Sequence, residues 1–178
     1  MRPLLLLSCI PFLYAAEPPR EIQYSGTLSM PARLKDGQLI SLHADARPFK
    51  DMHMPGPELG MYRRLSSDQG QTWSAPERVF TFPAGVGTIV PQVYPLVDSA
   101  GDLHAFTTRY FSLPKKDRTN GHSIVLHLAS KDQGKTWSAP NQVNFGHTYT
   151  GAINSLVQLK SSRILGRSLT PARISSRR

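Results

Sequence analysis

Residues 66–76 read SSDQGQTWSAP, and 64 residues further on residues 130–140 read SKDQGKTWSAP. A chain that writes almost the same stretch twice at such a spacing is built from a repeating supersecondary unit, which restricts its fold more than any other feature. Both copies fit Ser-x-Asp-x-Gly-x-Thr-Trp, as Ser66, Asp68, Gly70, Thr72 and Trp73, then as Ser130, Asp132, Gly134, Thr136 and Trp137. Each residue type suits a tight turn. An aspartate accepts hydrogen bonds from loop amides that a strand ladder leaves unpaired, glycine takes a positive φ, and a hydroxyl ties the turn shut. Tryptophan adds a large apolar face to bury between sheets. The motif therefore predicts a stapled hairpin, with Asp68 and Asp132 as turn residues rather than metal ligands or catalytic groups.

The surroundings supply the strands. Fifteen prolines and thirteen glycines separate short alternating apolar stretches, and no window carries a helical stripe, so the chain reads as all-β. SMPARLKDGQLISLHADA gives two strands around the Asp36-Gly37 turn, ELGMYRRLSS a third, and TWSAPERVF a fourth after the first motif. The same order returns in IVPQVYPLVDSAGDLHAFTTRYF, HSIVLHLASK and TWSAPNQVNF. A third unit opens at TGAINSLVQLKSSRILGRSL, with its turn at Ser161-Ser162. Four strands per unit at this spacing predict β-propeller blades, the first over about residues 24–82, the second over about 88–146 and the start of a third over about 150–170. About two and a half blades do not close a ring. The chain is accordingly expected to be the front of a longer protein, to associate with other chains, or to be a product with no stable fold, because open blade faces and sheet edges are left in water.

At the N-terminus, Arg2 precedes an apolar run over residues 3–13 and small residues at Ala15 and Ala16. This is the pattern of a secretory signal over residues 1–16, too short to span a bilayer, and it predicts a secreted or periplasmic protein over residues 17–178 without stable membrane insertion. Cys9, the single cysteine, lies inside that segment, so a chain cut near Ala16 has no disulfide. The net charge of +9 does not mark a nucleic-acid binder. Six basic residues, Lys160, Arg163, Arg167, Arg173, Arg177 and Arg178, fall at the end with no acidic residue among them, which leaves +3 for everything before. A short basic tail without aromatic residues is a solvated end rather than an RNA clamp.

The repeated motif resembles the Asp-box, or BNR repeat, and the chain is similar to the sialidase (neuraminidase) superfamily. That resemblance implies six-bladed propellers with Asp-boxes between the third and fourth strands of several blades, on the side away from the catalytic centre. It implies a glycan or glycoconjugate as partner, no cofactor, and a chemistry of three arginines clamping a carboxylate, an aspartate as general acid/base, and a tyrosine nucleophile with its glutamate. The family's opening Arg-Ile-Pro corresponds here to Ser29-Met30-Pro31, so serine stands in the place of the first clamp arginine. Arg33 is then either a substitute cation or an ordinary strand residue. HADAR is similar to the run that ends the family's next strand. Through it Arg47 becomes a candidate substrate contact, the alternative being a loop-anchoring salt bridge. In the loop that follows, Asp51 is the candidate catalytic acid, the alternative being a solvated carboxylate.

Other chemistries find less support. His43, His53, His104, His122, His127 and His147 show no metal-ligand spacing, and no phosphate loop, dinucleotide fingerprint or Ser-His-Asp order is present. Tyr94, Tyr110 and Tyr149 lie on or near strands that reach a propeller face, where stacking on a sugar would be available. Two functions therefore stand open: an exported sialidase-like glycosidase, inactive as this piece, and a non-catalytic BNR propeller that binds glycans or proteins.

Overall fold

The computed structural model describes residues 29–48, 51, 53–111, 122–143 and 153–168, and every regular element of more than one residue among them is a β-strand. The signal segment at 1–16, Tyr149 and the last basic residues lie outside the described residues. No helix among the described residues is long and apolar enough to cross a membrane.

Three antiparallel sheets follow one another along the chain. The first takes β1 (Ala32–Arg33), β2 (Leu39–Ala44), β3 (Leu59–Ser66) and β4 (Glu77–Phe82) in the order β1-β2-β3-β4. The second takes β5 (Thr88–Ile89), β6 (Tyr94–Val97), β7 (Leu103–Phe111), β8 (His122–Ser130) and β9 (Asn141–Gln142), with β5 and β6 both pairing β7. A hairpin of β10 (Ile153–Gln158) and β11 (Ile164–Ser168) comes last, its turn carried by Ser162 at φ 63°.

Two boundaries differ from the sequence reading. The strand read from Thr72 in TWSAPERVF starts at Glu77, because residues 74–76 still close the turn. Ser74 donates its amide to the Leu65 carbonyl at 2.9 Å, and Pro76 has no N–H for a ladder. The first strand of the second unit is split. Thr88 pairs with Tyr110 while Tyr94 pairs with Phe106, and Pro91 lies in the gap, so the second sheet has five strands instead of four.

The core sits where the first two sheets face each other. Ile40, Leu42 and Ala44 alternate along β2 and bury with Met61 of β3. They join one cluster with Ile89, Leu103, Ala105 and Leu128 of the second sheet and with Val93 between β5 and β6. The period of two puts these residues on one face of each sheet. Cross-sheet hydrogen bonds add direction to the contact, from the Ala44 amide to the Pro91 carbonyl at 3.0 Å and from Arg63 Nη1 to the Gln133 carbonyl at 3.3 Å. Because each sheet is a meander, its turns alternate between two ends. The turns at 34–38, 67–76, 98–102 and 131–140 leave from one end, and the described parts of the β2–β3 connection and the loop at 83–87 leave from the other.

Candidate functional site

The repeated motif builds the same turn twice. Asp68 Oδ1 accepts from the Thr72 amide at 2.9 Å and the Ser66 hydroxyl at 2.8 Å, and its Oδ2 accepts from the Thr72 hydroxyl at 2.6 Å. Asp132 repeats all three with Thr136 and Ser130 at the same distances, and also accepts the Lys135 amide at 3.1 Å. Trp73 and Trp137 donate their indole N–H to the carbonyls of Gly70 and Gly134 at 3.1 and 3.2 Å. These donors hold the Asp68 carboxyl down at about 2, with Thr72 the largest cause, and drive Asp132 lower still. Both carboxylates are thus acceptors locked within their own loops. The sequence reading assigned positive φ to the glycines alone. In fact Gln69 and Gln133, both at φ 61°, precede Gly70 at 90° and Gly134 at 82°, so each turn places two successive residues in the left-handed region.

At the opposite end, two loops meet. Gly56 and Gly85 exchange amide-to-carbonyl hydrogen bonds at 3.0 and 3.1 Å, and the guanidinium of Arg47 lies against them. Arg47 Nη1 donates to the carbonyls of Met54 at 3.0 Å, Gly87 at 3.4 Å and Gly85 at 3.5 Å, and Nη2 donates to the Asp51 carbonyl at 2.9 Å. Its amide donates to the Thr88 hydroxyl at 2.6 Å. Arg47 is therefore a loop anchor, but through main-chain carbonyls and not through the salt bridge that the sequence offered as an alternative. A Cβ at Gly56 would overlap its Cζ and Nη1, which accounts for a glycine there.

Asp51 belongs to the same loop. Its carbonyl is held by Arg47 and by the Met54 amide at 3.2 Å, and no described residue donates to its carboxylate. Arg33 is elsewhere. Its Nη1 caps the β1–β2 turn at the Gly37 carbonyl, 3.0 Å away, beside the first Asp-box, where Gln38 also donates to the Ser67 hydroxyl at 2.9 Å. It cannot join Arg47 from that end, so the substitute-clamp reading of Arg33 is not carried by the geometry. Ser29 is only 5% exposed. Its hydroxyl oxygen accepts the Leu42 amide at 3.0 Å and lies 3.0 Å from the Ser41 hydroxyl, which makes it a buried structural residue.

Three groups near the candidates escaped the sequence reading. Arg109, on β7, reaches the same 83–87 loop as Arg47, donating from Nε to the Val86 carbonyl at 3.1 Å and from Nη2 to the Pro83 carbonyl at 3.5 Å. Burial lowers its pKa, and the charge of Arg47 lowers it further. Asp45, within HADAR, braces β2 to β3 and β4, accepting the Gly60 amide at 2.9 Å and the Tyr62 hydroxyl at 3.2 Å and lying 3.6 Å from Arg78. Tyr62 in turn stacks on His43 with ring centres 5.2 Å apart. Finally, two histidines read as scattered meet across β7 and β8. His104 Nδ1 lies 2.9 Å from His127 Nε2, and His104 Nε2 lies 3.4 Å from Asp98. Burial lowers the His127 pKa, helped by His104. Among the described residues no group of three or more side chains has the makings of a metal site. The only signal for the histidine contact was the β7 and β8 residue alternation, which fixes facing but not pairing register.

No protein-family model matches the chain, and no curated protein matches it either. Among solved structures, the crystal structure of a protein of unknown function from Dyadobacter fermentans DSM 18053 superposes with a TM-score of 0.52 at 19% identity, covering 75% of this chain. The chain spans 43% of the length of that neighbour. At this identity the likeness concerns the all-β fold alone.

Proposed function

We propose that the chain is part of an exported, sialidase-like propeller of Asp-box repeats and that its loop end, opposite the Asp-boxes, recognises glycans without hydrolysing them. The observation that carries this reading is the pair of turns at Asp68 and Asp132. They share three carboxylate hydrogen bonds and an indole bond, at the same place in two successive meander sheets. Such turns belong to the scaffold, and they leave the other end for recognition. Two further facts favour binding over hydrolysis. The position of the family's first clamp arginine is a buried serine, and much of the Arg47 guanidinium is taken up by loop carbonyls.

A glycosidase reading is favoured by one observation, the Asp51 carboxylate that no described residue engages. The two are separated by passing the full chain over a panel of immobilised acidic and neutral glycans and, in parallel, incubating it with a fluorogenic sialoside. Retention without release of the fluorophore is expected. Release that Asp51→Asn abolishes would replace the binding reading with a hydrolase, and failure to retain any glycan or turn over the sialoside would remove both.

A further inference from the structure

We infer that Arg47 and Arg109 together form a binding site for a tetrahedral oxyanion, the sulfate or phosphate ester group of a ligand, at the 83–87 loop. The inference rests on the reading of the loop end as the binding face. It starts from an imbalance of charge. Two half-buried guanidiniums bond to one five-residue loop, Arg47 at the Gly85 and Gly87 carbonyls and Arg109 at the Val86 and Pro83 carbonyls, and no carboxylate among the described residues pairs with either. Main-chain carbonyls satisfy individual N–H groups, yet they leave both guanidiniums without an ion-pair partner among the described residues, and a partly desolvated like-charge pair gains most from an anion between or beside its members.

The unused donors say which anion. A guanidinium carries five N–H donors in a fixed fork. Arg109 gives one to Val86 and one to Pro83, so both Nη1 hydrogens and one on Nη2 remain. Arg47 directs Nη1 and one Nη2 hydrogen to carbonyls and retains its Nε–H and a second Nη2 hydrogen. Five remaining donors on two separate guanidiniums outnumber the bidentate needs of a planar carboxylate, whereas the three terminal oxygens of a sulfate or phosphate ester can accept from both. The loop is suited to a close approach. Gly85 brings its backbone to Arg109, where a Cβ would come to 2.9 Å from Nη2, and Gly87 lies at φ 93°, where a Cβ would come to 2.7 Å from the Tyr110 carbonyl. Within PAGVG, Gly85 thus makes room for Arg109 and Gly87 for the backbone of β7.

The test titrates the full chain with inorganic sulfate, inorganic phosphate and acetate at constant ionic strength and reads binding by calorimetry. No glycan enters it, so its failure is separate from a failure of glycan recognition. Saturable binding of sulfate or phosphate is expected, tighter than that of acetate, and the ratio of the first two identifies the ester. Arg109→Gln should weaken it about tenfold or more. Lys160→Gln, which removes the same charge from the exposed β10–β11 turn, should leave it unchanged. Should Arg109→Gln fail to fold, Arg109→Lys keeps the charge but loses the fork and should bind a few-fold more weakly. Absence of saturable binding, acetate binding as tight as sulfate, or equal loss in the Arg109 and Lys160 variants would overturn the site.

Discussion

Ser29 and Asp68 show how single polar residues are committed inside this chain. The Ser29 hydroxyl is the acceptor for a buried amide of β2, so Ser29→Ala leaves the Leu42 N–H without a partner. That should cost about 1–3 kcal/mol. Ser29→Arg, the change toward the Arg-Ile-Pro pattern that this stretch resembles, places a guanidinium in a slot only 5% exposed and should cost more, about 3–5 kcal/mol. Urea midpoints of the two variants decide it, and a stable Ser29→Arg chain would show that the slot opens to the surface. Asp68 and Asp132 make a different prediction. Their folded pKa values lie below the ordinary 3.8, so the unfolded chain binds more protons in that window. Their contribution is present above the ordinary value of 3.8 and is lost as pH falls through about 2 for Asp68 and lower still for Asp132. The Asp68→Asn/Asp132→Asn double variant should be less stable at neutral pH and show a flatter acid dependence, read by tryptophan fluorescence during urea unfolding at a series of pH values.

At the level of elements, the second turn motif is more than a hairpin staple. Gly134 lies against both Ile40 of β2 and Leu103 of β7, where an added Cβ would come to 3.0 and 3.1 Å from their methyl carbons. The motif therefore docks the second sheet onto the first, with Arg63 Nη1 at the Gln133 carbonyl beside it. Gly134→Ala should lose about 1–2 kcal/mol from its φ of +82° alone, and further stability from crowding. Gly37→Ala is the matched reference, since its φ is +90° and nothing lies within 4 Å of its Cβ. A larger loss at Gly134 than at Gly37 in urea midpoints measures the docking, and equal losses would deny it. The strands on either side were legible because alternation and turn residues are local. The splitting of the first strand of the second unit was not, because both pieces pair with one strand, β7, and only that pairing sets them apart.

Over the whole molecule, the sheets leave apolar surface in water. Val157 and Leu165 face each other across β10 and β11, and they are 52% and 45% exposed. Val143 and Leu159 are exposed as well, and β4 forms an edge of the first sheet. Exposed apolar residues beside open edges favour association. Light scattering on the full chain should report a mass above the monomer that rises with concentration, and Val157→Lys/Leu165→Glu should lower it. A native chain that stays monomeric at every concentration and unfolds cooperatively would contradict this.

What the sequence determined by itself is the all-β class, the two stapled turns and the roles of their aspartates. Those rest on contacts within four residues, where side-chain chemistry and backbone geometry are written side by side. The tertiary structure decided the rest. Arg47 meets the Gly85 carbonyl 38 residues away, and Arg109 meets Val86 across 23 residues. No local pattern specifies whether a guanidinium will find a carboxylate, a ligand or a carbonyl at such a distance. The packing of two sheets brought both arginines to one loop, and it buried Ser29 against β2.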